Sequence, residues 1–162
     1  KALVDAVSDM EGVAVFNLYE LSQEIAFNID EWSKIISDAS AVIYQFPFYW
    51  MSAPSLLKKW QDEVFTFLSK TPAVAGKPLT VVTTTGSEYE AYRSGGRNRF
   101  TTDELLRPYQ VSAIHSGMSW QTPIVVYGMG TADAGKNIAE GANLYKQRVE
   151  MLIGSSNAGN NW

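Results

Sequence analysis

The sequence predicts an α/β fold: a three-layer, doubly wound parallel sheet of strand order 2-1-3-4-5 with helices on both faces. Three observations carry that expectation. Short apolar runs alternate strictly with segments of helical periodicity, which is the pattern of strands joined by crossover helices. The clearest of those runs is too continuously apolar to have one face in water. The alternation also opens on a helix, so the strand that should feed it, the first of the sheet, is expected to be missing from this sequence.

The elements follow in order. Leu3, Val4 and Val7 are apolar against Lys1, Asp5, Ser8 and Asp9, a helix that Gly12 ends. Residues 13–18 (VAVFNL) then read as a strand. Asn28 and Glu31 have the spacing of an N-cap and its partner, and Trp32, Ile35 and Ile36 supply an apolar stripe before Asp38. Residues 41–46 (AVIYQF) are the next strand. Pro54 suits a first helical position, where its missing N–H costs nothing. Leu57, Trp60, Val64 and Leu68 recur behind it at three- and four-residue steps, while Lys58, Lys59, Asp62 and Glu63 lie elsewhere. Residues 79–84 form a strand that ends in a polar stretch, 85–98, long for an ordinary connection. Thr101 and Glu104 have capping-box spacing ahead of Leu105, Leu106, Tyr109 and Ala113; Pro108 should kink or split that helix and Gly117 should close it. Residues 123–128 (PIVVYG) are the last strand. Ile138, Ala142, Tyr145, Val149 and Leu152 form the stripe of a final helix that stops at Gly154. Residues 1–154 are thus expected to be one domain and 155–162 a loose tail.

Composition excludes several function classes. The 162 residues are 46% hydrophobic and 19% charged, with 13 Lys plus Arg against 17 Asp plus Glu. A mild acidic excess of this kind argues against nucleic acid as a partner. There is no cysteine. Disulfides, thiolate metal sites and cysteine nucleophiles are therefore excluded, no metal is expected, and a reducing cytoplasmic compartment is the natural reading. No apolar run approaches the roughly 18 residues that span a bilayer, and no cleavable signal pattern opens the chain, so a soluble protein is expected. His115, the single histidine, sits on a helix beside Ile114 and reads as structural. Gly128, Met129 and Gly130 lie between a strand and a helix, but Asp133 stands in the place of a third fingerprint glycine, and Thr131 as an N-cap explains the region better.

In such sheets ligands sit beyond the carboxyl ends of the strands. Two of the loops there are unusual. Residues 45–54 (QFPFYWMSAP) place Phe48, Tyr49 and Trp50 on irregular backbone; residues 83–87 (TTTGS) carry Gly86, whose missing Cβ lets the backbone approach a planar ligand. The segment QFPFYWMSAPSLLKKWQDEVF, with Pro47, Trp50, Pro54, Leu57, Lys58, Trp60 and Phe65 at specific spacings, resembles the corresponding segment of the flavodoxin-like NAD(P)H:quinone oxidoreductases. These are DT-diaphorase relatives that include ancillary subunits of glutathione-gated potassium efflux systems. TTTGS followed by Tyr92, then LLRPYQVSAIHSGMSW and TADAGKNIAEGANLYKQRV, continue the likeness from Val13 onward.

The resemblance implies bound FMN, or FAD less often, and a two-electron, ping-pong transfer of hydride from NAD(P)H to quinones or similar electrophiles. Cofactor-binding residues would be Pro47, Phe48, Tyr49, Trp50, Met51, Thr84, Thr85, Gly86, Ser87 and Tyr92. Main-chain N–H groups of residues 48–51 would read one ring edge, and Thr85, Gly86 and Ser87 another. Tyr92 would also be catalytic, as a hydroxyl donor to the ring or the substrate. Ser87 departs from the family's second glycine, and its Cβ is expected to tighten or tilt the ring edge. Phosphate ligands for the flavin would lie in the missing segment. Arg93, Arg97 and Arg99 suit the phosphates of NAD(P)H or a plain solvated face. A homodimer is implied, and a membrane transporter is a possible partner. An ancillary regulatory subunit of a potassium efflux transporter and a one-electron flavodoxin-type carrier are the alternative readings.

Overall fold

A computed structural model describes residues 1–21 and 26–158. Its centre is strand β2 (Pro78–Thr84), buried along nearly its whole length. On one side β2 pairs in parallel with β1 (Val42–Pro47), from Val42 opposite Leu79 to Pro47 opposite Thr84. On the other it pairs in parallel with two short lengths, β3 (Ser119–Trp120) and β4 (Ile124–Val126). These are one edge run interrupted around Pro123, which has no N–H to give a ladder. The sequence reading placed only the second length. Inside β2, the buried Thr80 and Thr83 hydroxyls donate to the carbonyls of Thr122 (3.1 Å) and Phe46 (2.7 Å), so neither hydroxyl is stranded.

The period-2 alternation of β2 sends its side chains to two separate cores. Val81, with Tyr44 and Phe46 of β1, packs beneath α3 (Ile29–Asp38), α4 (Ser55–Trp60), α5 (Thr66–Leu68) and α7 (Arg107–His115). Val82, Ile124 and Val126 pack against Leu3 and Val7, in and just after α1 (Ala2–Asp5), and against Tyr145 and Val149 of α8 (Ala134–Ala158). Helices therefore cover both faces, as expected.

Several boundaries differ from the sequence reading for identifiable reasons. Residues 13–18 are not a strand. A strand is defined by its ladder, and β-branched composition supplies only a propensity; residues 13–17 join no ladder among the described residues, Val15 and Phe16 stay 46% and 42% exposed, and the chain enters a short helix, α2 (Leu18–Leu21). Between α4 and α5 a π-helical turn, Gln61–Phe65, interrupts what the apolar stripe describes as one helix; such an insertion leaves the burial of Val64 and Phe65 intact and is invisible to periodicity. The Thr101–Glu104 capping box forms in both directions around α6 (Thr102–Leu105), and the chain does divide near Pro108, breaking at Leu106. Backbone and side-chain hydrogen bonds from Thr101 hold the Glu104 carboxyl below its ordinary range. The last helix does not stop at Gly154 but continues to Ala158, since a glycine weakens a helix without ending it; residues 159–162 lie outside the described residues. Thr131 does not cap α8 directly: the first helical bond, Asn137 N–H to a carbonyl at 2.9 Å, goes to Asp133.

Candidate functional site

The carboxyl ends of β1, β2 and β4 are neighbours, so three loops emerge side by side. The turn after β1 closes on itself. Tyr49 and Ser52 exchange backbone hydrogen bonds of 2.8 and 2.9 Å, leaving Trp50 (φ 47°) and Met51 (φ 62°) at the tip. Two consecutive left-handed residues of this kind define a primed hairpin turn, which prefers Asn and Gly. Here two bulky side chains occupy it, and Trp50 is 98% exposed. The base of the turn is held from both sides. Phe48 N–H donates to the Thr84 carbonyl (2.9 Å), and Ala53 N–H donates to the Tyr109 hydroxyl (3.1 Å).

The turn after β2 is held by its neighbour. Thr85 N–H donates to the Val126 carbonyl, and the carbonyls of Thr85, Gly86 and Ser87 accept from the N–H groups of Met129, Gly130 and Gly128, each at 2.9 Å. The Gly128-Met129-Gly130 stretch thus zips two loops together rather than forming a dinucleotide fingerprint. Gly128 needs its φ of 74°, and a Cβ there would meet Asn137 Nδ2 at 2.9 Å. That Nδ2 donates to the Tyr127 carbonyl (3.1 Å), so α8 supports the zipped loops.

These bonds sort the donors that the sequence reading grouped together. The N–H groups of Phe48, Tyr49 and Thr85 are consumed by the fold. Those of Trp50, Met51, Gly86 and Ser87 have no acceptor among the described residues. A Cβ built on Gly86 touches nothing within 4 Å, so open space lies beside that turn. Phe48 is buried and packs edge-on against Tyr92 (6.1 Å between ring centres) rather than projecting with Tyr49 and Trp50. Pro47 and Thr84 end the two strands side by side.

Tyr92 closes the group. It ends a 3-10 turn, Tyr89–Tyr92, with a ring only 5% exposed, wedged between Phe48 and Tyr127 (5.9 Å). Its hydroxyl bonds to no described residue. Tyr127, which the sequence reading did not single out, also meets Tyr89 at 5.3 Å, and its hydroxyl shares a 2.6 Å hydrogen bond with Thr102. Burial pushes the Tyr127 hydroxyl up, with the Thr102 bond opposing, so it stays a neutral hydroxyl at ordinary pH. The signal that could have revealed it was its place immediately after an apolar strand. His115 is exposed at the end of α7, away from these loops in the chain. Among the described residues no cluster of metal-ligating side chains is present, and no helix is long and apolar enough to cross a membrane.

A parallel sheet with its functional groups gathered beyond the strand ends places the chain in the flavodoxin-like class of α/β proteins. Comparison with known families makes this specific: the chain belongs to the Flavodoxin_2 family, whose model, described as a flavodoxin-like fold, matches residues 1–149. Among curated relatives, general stress protein 14 of Bacillus subtilis is 34% identical, covering 93% of this chain and 88% of the relative. The uncharacterized NAD(P)H oxidoreductase YdeQ of the same organism is 34% identical over 91% of this chain and 77% of its own length. The glutathione-regulated potassium-efflux system ancillary protein KefG of Serratia proteamaculans is 34% identical over 78% and 72%. Among solved structures, general stress protein 14 of Treponema denticola in complex with FMN superposes with a TM-score of 0.84 at 26% identity, covering 93% and 88% of the two chains. An NADPH-quinone reductase from P. pentosaceus gives 0.75 at 27%, covering 91% and 86%. A thermophilic tryptophan halogenase from Streptomycin violaceusniger gives 0.84 at 35%, covering 91% and 88%. Oxidoreductase chemistry is the activity that the named NAD(P)H-dependent relatives support.

Proposed function

We propose that this protein is an FMN-dependent NAD(P)H:quinone oxidoreductase, working by two-electron, ping-pong hydride transfer to quinones or similar electrophiles. One observation carries the reading: four main-chain N–H groups on two adjoining turns, those of Trp50, Met51, Gly86 and Ser87, lack protein acceptors beside open space at the sheet's carboxyl rim. Their chemistry fits a flavin, whose ring edge is a row of nitrogen and carbonyl oxygen acceptors. The FMN-bound Treponema structure supports the same choice over FAD.

FMN, when bound, supplies hydride acceptance and donation. Trp50 and Met51 would hold one edge of the ring from the strained turn. Gly86 and Ser87 would hold another, where preorganised donors favour negative charge. Pro47, Phe48, Thr84 and Thr85 keep the two turns in register, and Tyr49 screens the ring from water. The Tyr92 hydroxyl, carried on a buried ring, would orient the acceptor's oxygen and donate to it. No nucleophile or metal is required. The exposed Trp50 and Tyr49 suit a two-fold homodimer in which each copy's aromatic turn walls the other's pocket. A cytoplasmic setting fits a chain without cysteine. A second reading, in which the protein also docks on a membrane transporter, is favoured by its likeness to KefG; co-purification with such a transporter would support it.

The test is to purify the complete gene product, record its visible spectrum, and add NADPH with and without menadione. The expected result is a yellow protein that NADPH bleaches and menadione recolours. A colourless or inert protein overturns the reading. Tyr92→Phe should slow turnover roughly tenfold or more while keeping the yellow colour, the loss expected for one hydrogen bond to developing charge. An unchanged rate removes Tyr92 from the reaction.

A further inference from the structure

Beyond Tyr92 the chain runs Arg93-Ser94-Gly95-Gly96-Arg97-Asn98-Arg99, three guanidiniums and two glycines in a protein whose formal net charge is −4. The structure folds this stretch around a cleft of about 420 Å³ lined by Ser94, Gly95, Gly96, Arg97 and Arg99. The arginines differ in what they are doing. Arg93 is committed to Glu90 (3.4 Å) and to the face of the Tyr89 ring. Arg97 and Arg99 have no carboxylate partner among the described residues. The N–H groups of Ser94, Gly95 and Arg97 also lack acceptors there. Arg99 is held at a φ of 63°, a conformation that costs a non-glycine residue about 1–3 kcal/mol and tends to persist where the arrangement is used.

The loop is fixed against the site. A Cβ on Gly96 would sit 2.1 Å from the Glu90 carbonyl oxygen and 2.7 Å from that of Ala91, so only glycine lets the loop dock on the turn that carries Tyr92. Asn98 N–H closes the same contact on the Ala91 carbonyl (2.9 Å). Arg97 reaches across to donate to the Ser87 hydroxyl, on one of the two turns assigned above to the ring.

We propose that this cleft is a phosphate site in which Arg97 and Arg99, with the free N–H groups of Ser94 and Gly95, hold a phosphate group of the nicotinamide dinucleotide. The inference rests on the function proposed above and deepens it, since it assigns the co-substrate's anionic end to named residues. Guanidinium forks match the tetrahedral oxygens of a phosphate, and consecutive main-chain N–H groups add a concave donor surface. The cluster is short and bordered by Glu88 and Glu90, which suits one phosphate group and disfavours the extended backbone of a nucleic acid. Holding the phosphate beside Ser87 and Tyr92 would leave the nicotinamide to lie over the adjoining turns, so the cleft would govern co-substrate affinity without touching the transferred hydride.

The experiment uses the flavin-loaded full-length protein, with Arg97→Gln, Arg99→Gln, the double variant, and Lys34→Gln as a charge control on an exposed face of α3. Binding of 2′,5′-ADP and of 5′-ADP is measured by calorimetry, and steady-state rates are measured with NADPH and NADH. Each arginine change should weaken 2′,5′-ADP binding and raise the KM for NADPH roughly tenfold, with kcat and flavin content unchanged in Arg99→Gln, which does not touch the Ser87 turn, and Lys34→Gln silent. A rise confined to NADPH assigns the cleft to the 2′-phosphate; an equal rise for NADH and for 5′-ADP assigns it to the diphosphate common to both, and either supports the proposal. Unchanged binding in the double variant, an equal effect from Lys34→Gln, or loss of flavin in Arg99→Gln overturns it. If the wild-type flavin is not reduced by NADPH or NADH, the proposed function fails, whatever the cleft binds.

Discussion

The two turns that face each other across the carboxyl ends of β1 and β2 are built on opposite principles. The turn at residues 49–52 projects: it is closed by its own two hydrogen bonds, its tip residues sit at φ 47° and 62°, and Trp50 is almost wholly exposed. The turn at residues 85–87 is embedded: all three of its carbonyls are taken by the loop after β4, and Thr85 is 1% exposed. One is shaped by local strain, the other by tertiary pairing. Both end with two main-chain donors left over, at Trp50 and Met51 and at Gly86 and Ser87. The difference teaches that preorganised donors can be obtained either by exhausting a turn's carbonyls on a neighbour or by locking the chain in a rarely used conformation.

The contrast can be broken most severely through α8, which supports only the embedded turn. Burial pushes the Tyr145 hydroxyl up to about 12. Its folded value lies above the unfolded value of roughly 10, so the native state holds its proton longer; the associated stability is complete below about pH 10 and is lost as pH rises toward 12. Two units correspond to roughly 2–3 kcal/mol at most. Urea unfolding followed between pH 8 and 12 should show this decline, and Tyr145→Phe should make it shallower, leaving the part owed to Tyr44 and Tyr127, whose hydroxyls burial also pushes up; an identical slope in the variant would refute the assignment. Gly128→Ala attacks the zip directly. It forces a Cβ into a left-handed position against Asn137, and should cost about 1–3 kcal/mol in urea unfolding. Under the proposed function the flavin-to-protein ratio after purification should fall with it. The smallest effect, of opposite sign, belongs to the projecting turn: Met51→Gly relieves left-handed strain of roughly 1–2 kcal/mol against a glycine entropy cost of roughly 0.5–1 kcal/mol, and the net gain of at most about 1 kcal/mol should raise the melting temperature by about two degrees. A destabilised Met51→Gly would mean that the Met51 side chain, 42% exposed, contributes more packing than its strain costs.

Much of the fold was legible because its signals are local. Asn28 accepts from Asp30 and Glu31 N–H, and the Thr101 box closes as spaced, because capping depends on residues three apart in sequence. The continuous apolar run of β1 announced burial on two faces, and the loops after β1 and β2 announced a site. Residues 13–18 misled because pairing is not a local property, and the π turn at Gln61–Phe65 was invisible because it preserves which residues are buried.

By itself, then, the amino-acid order determined the alternation of strands and helices, the covered sheet, and which loops sit at its carboxyl rim, since each follows from side-chain periodicity and capping chemistry a few residues long. Only the three-dimensional arrangement decided which main-chain donors remain unspent, brought Tyr127 beside Tyr92, and set Arg97 against Ser87. Those outcomes depend on hydrogen bonds and contacts between segments far apart in the chain, whose partners no short stretch of sequence names.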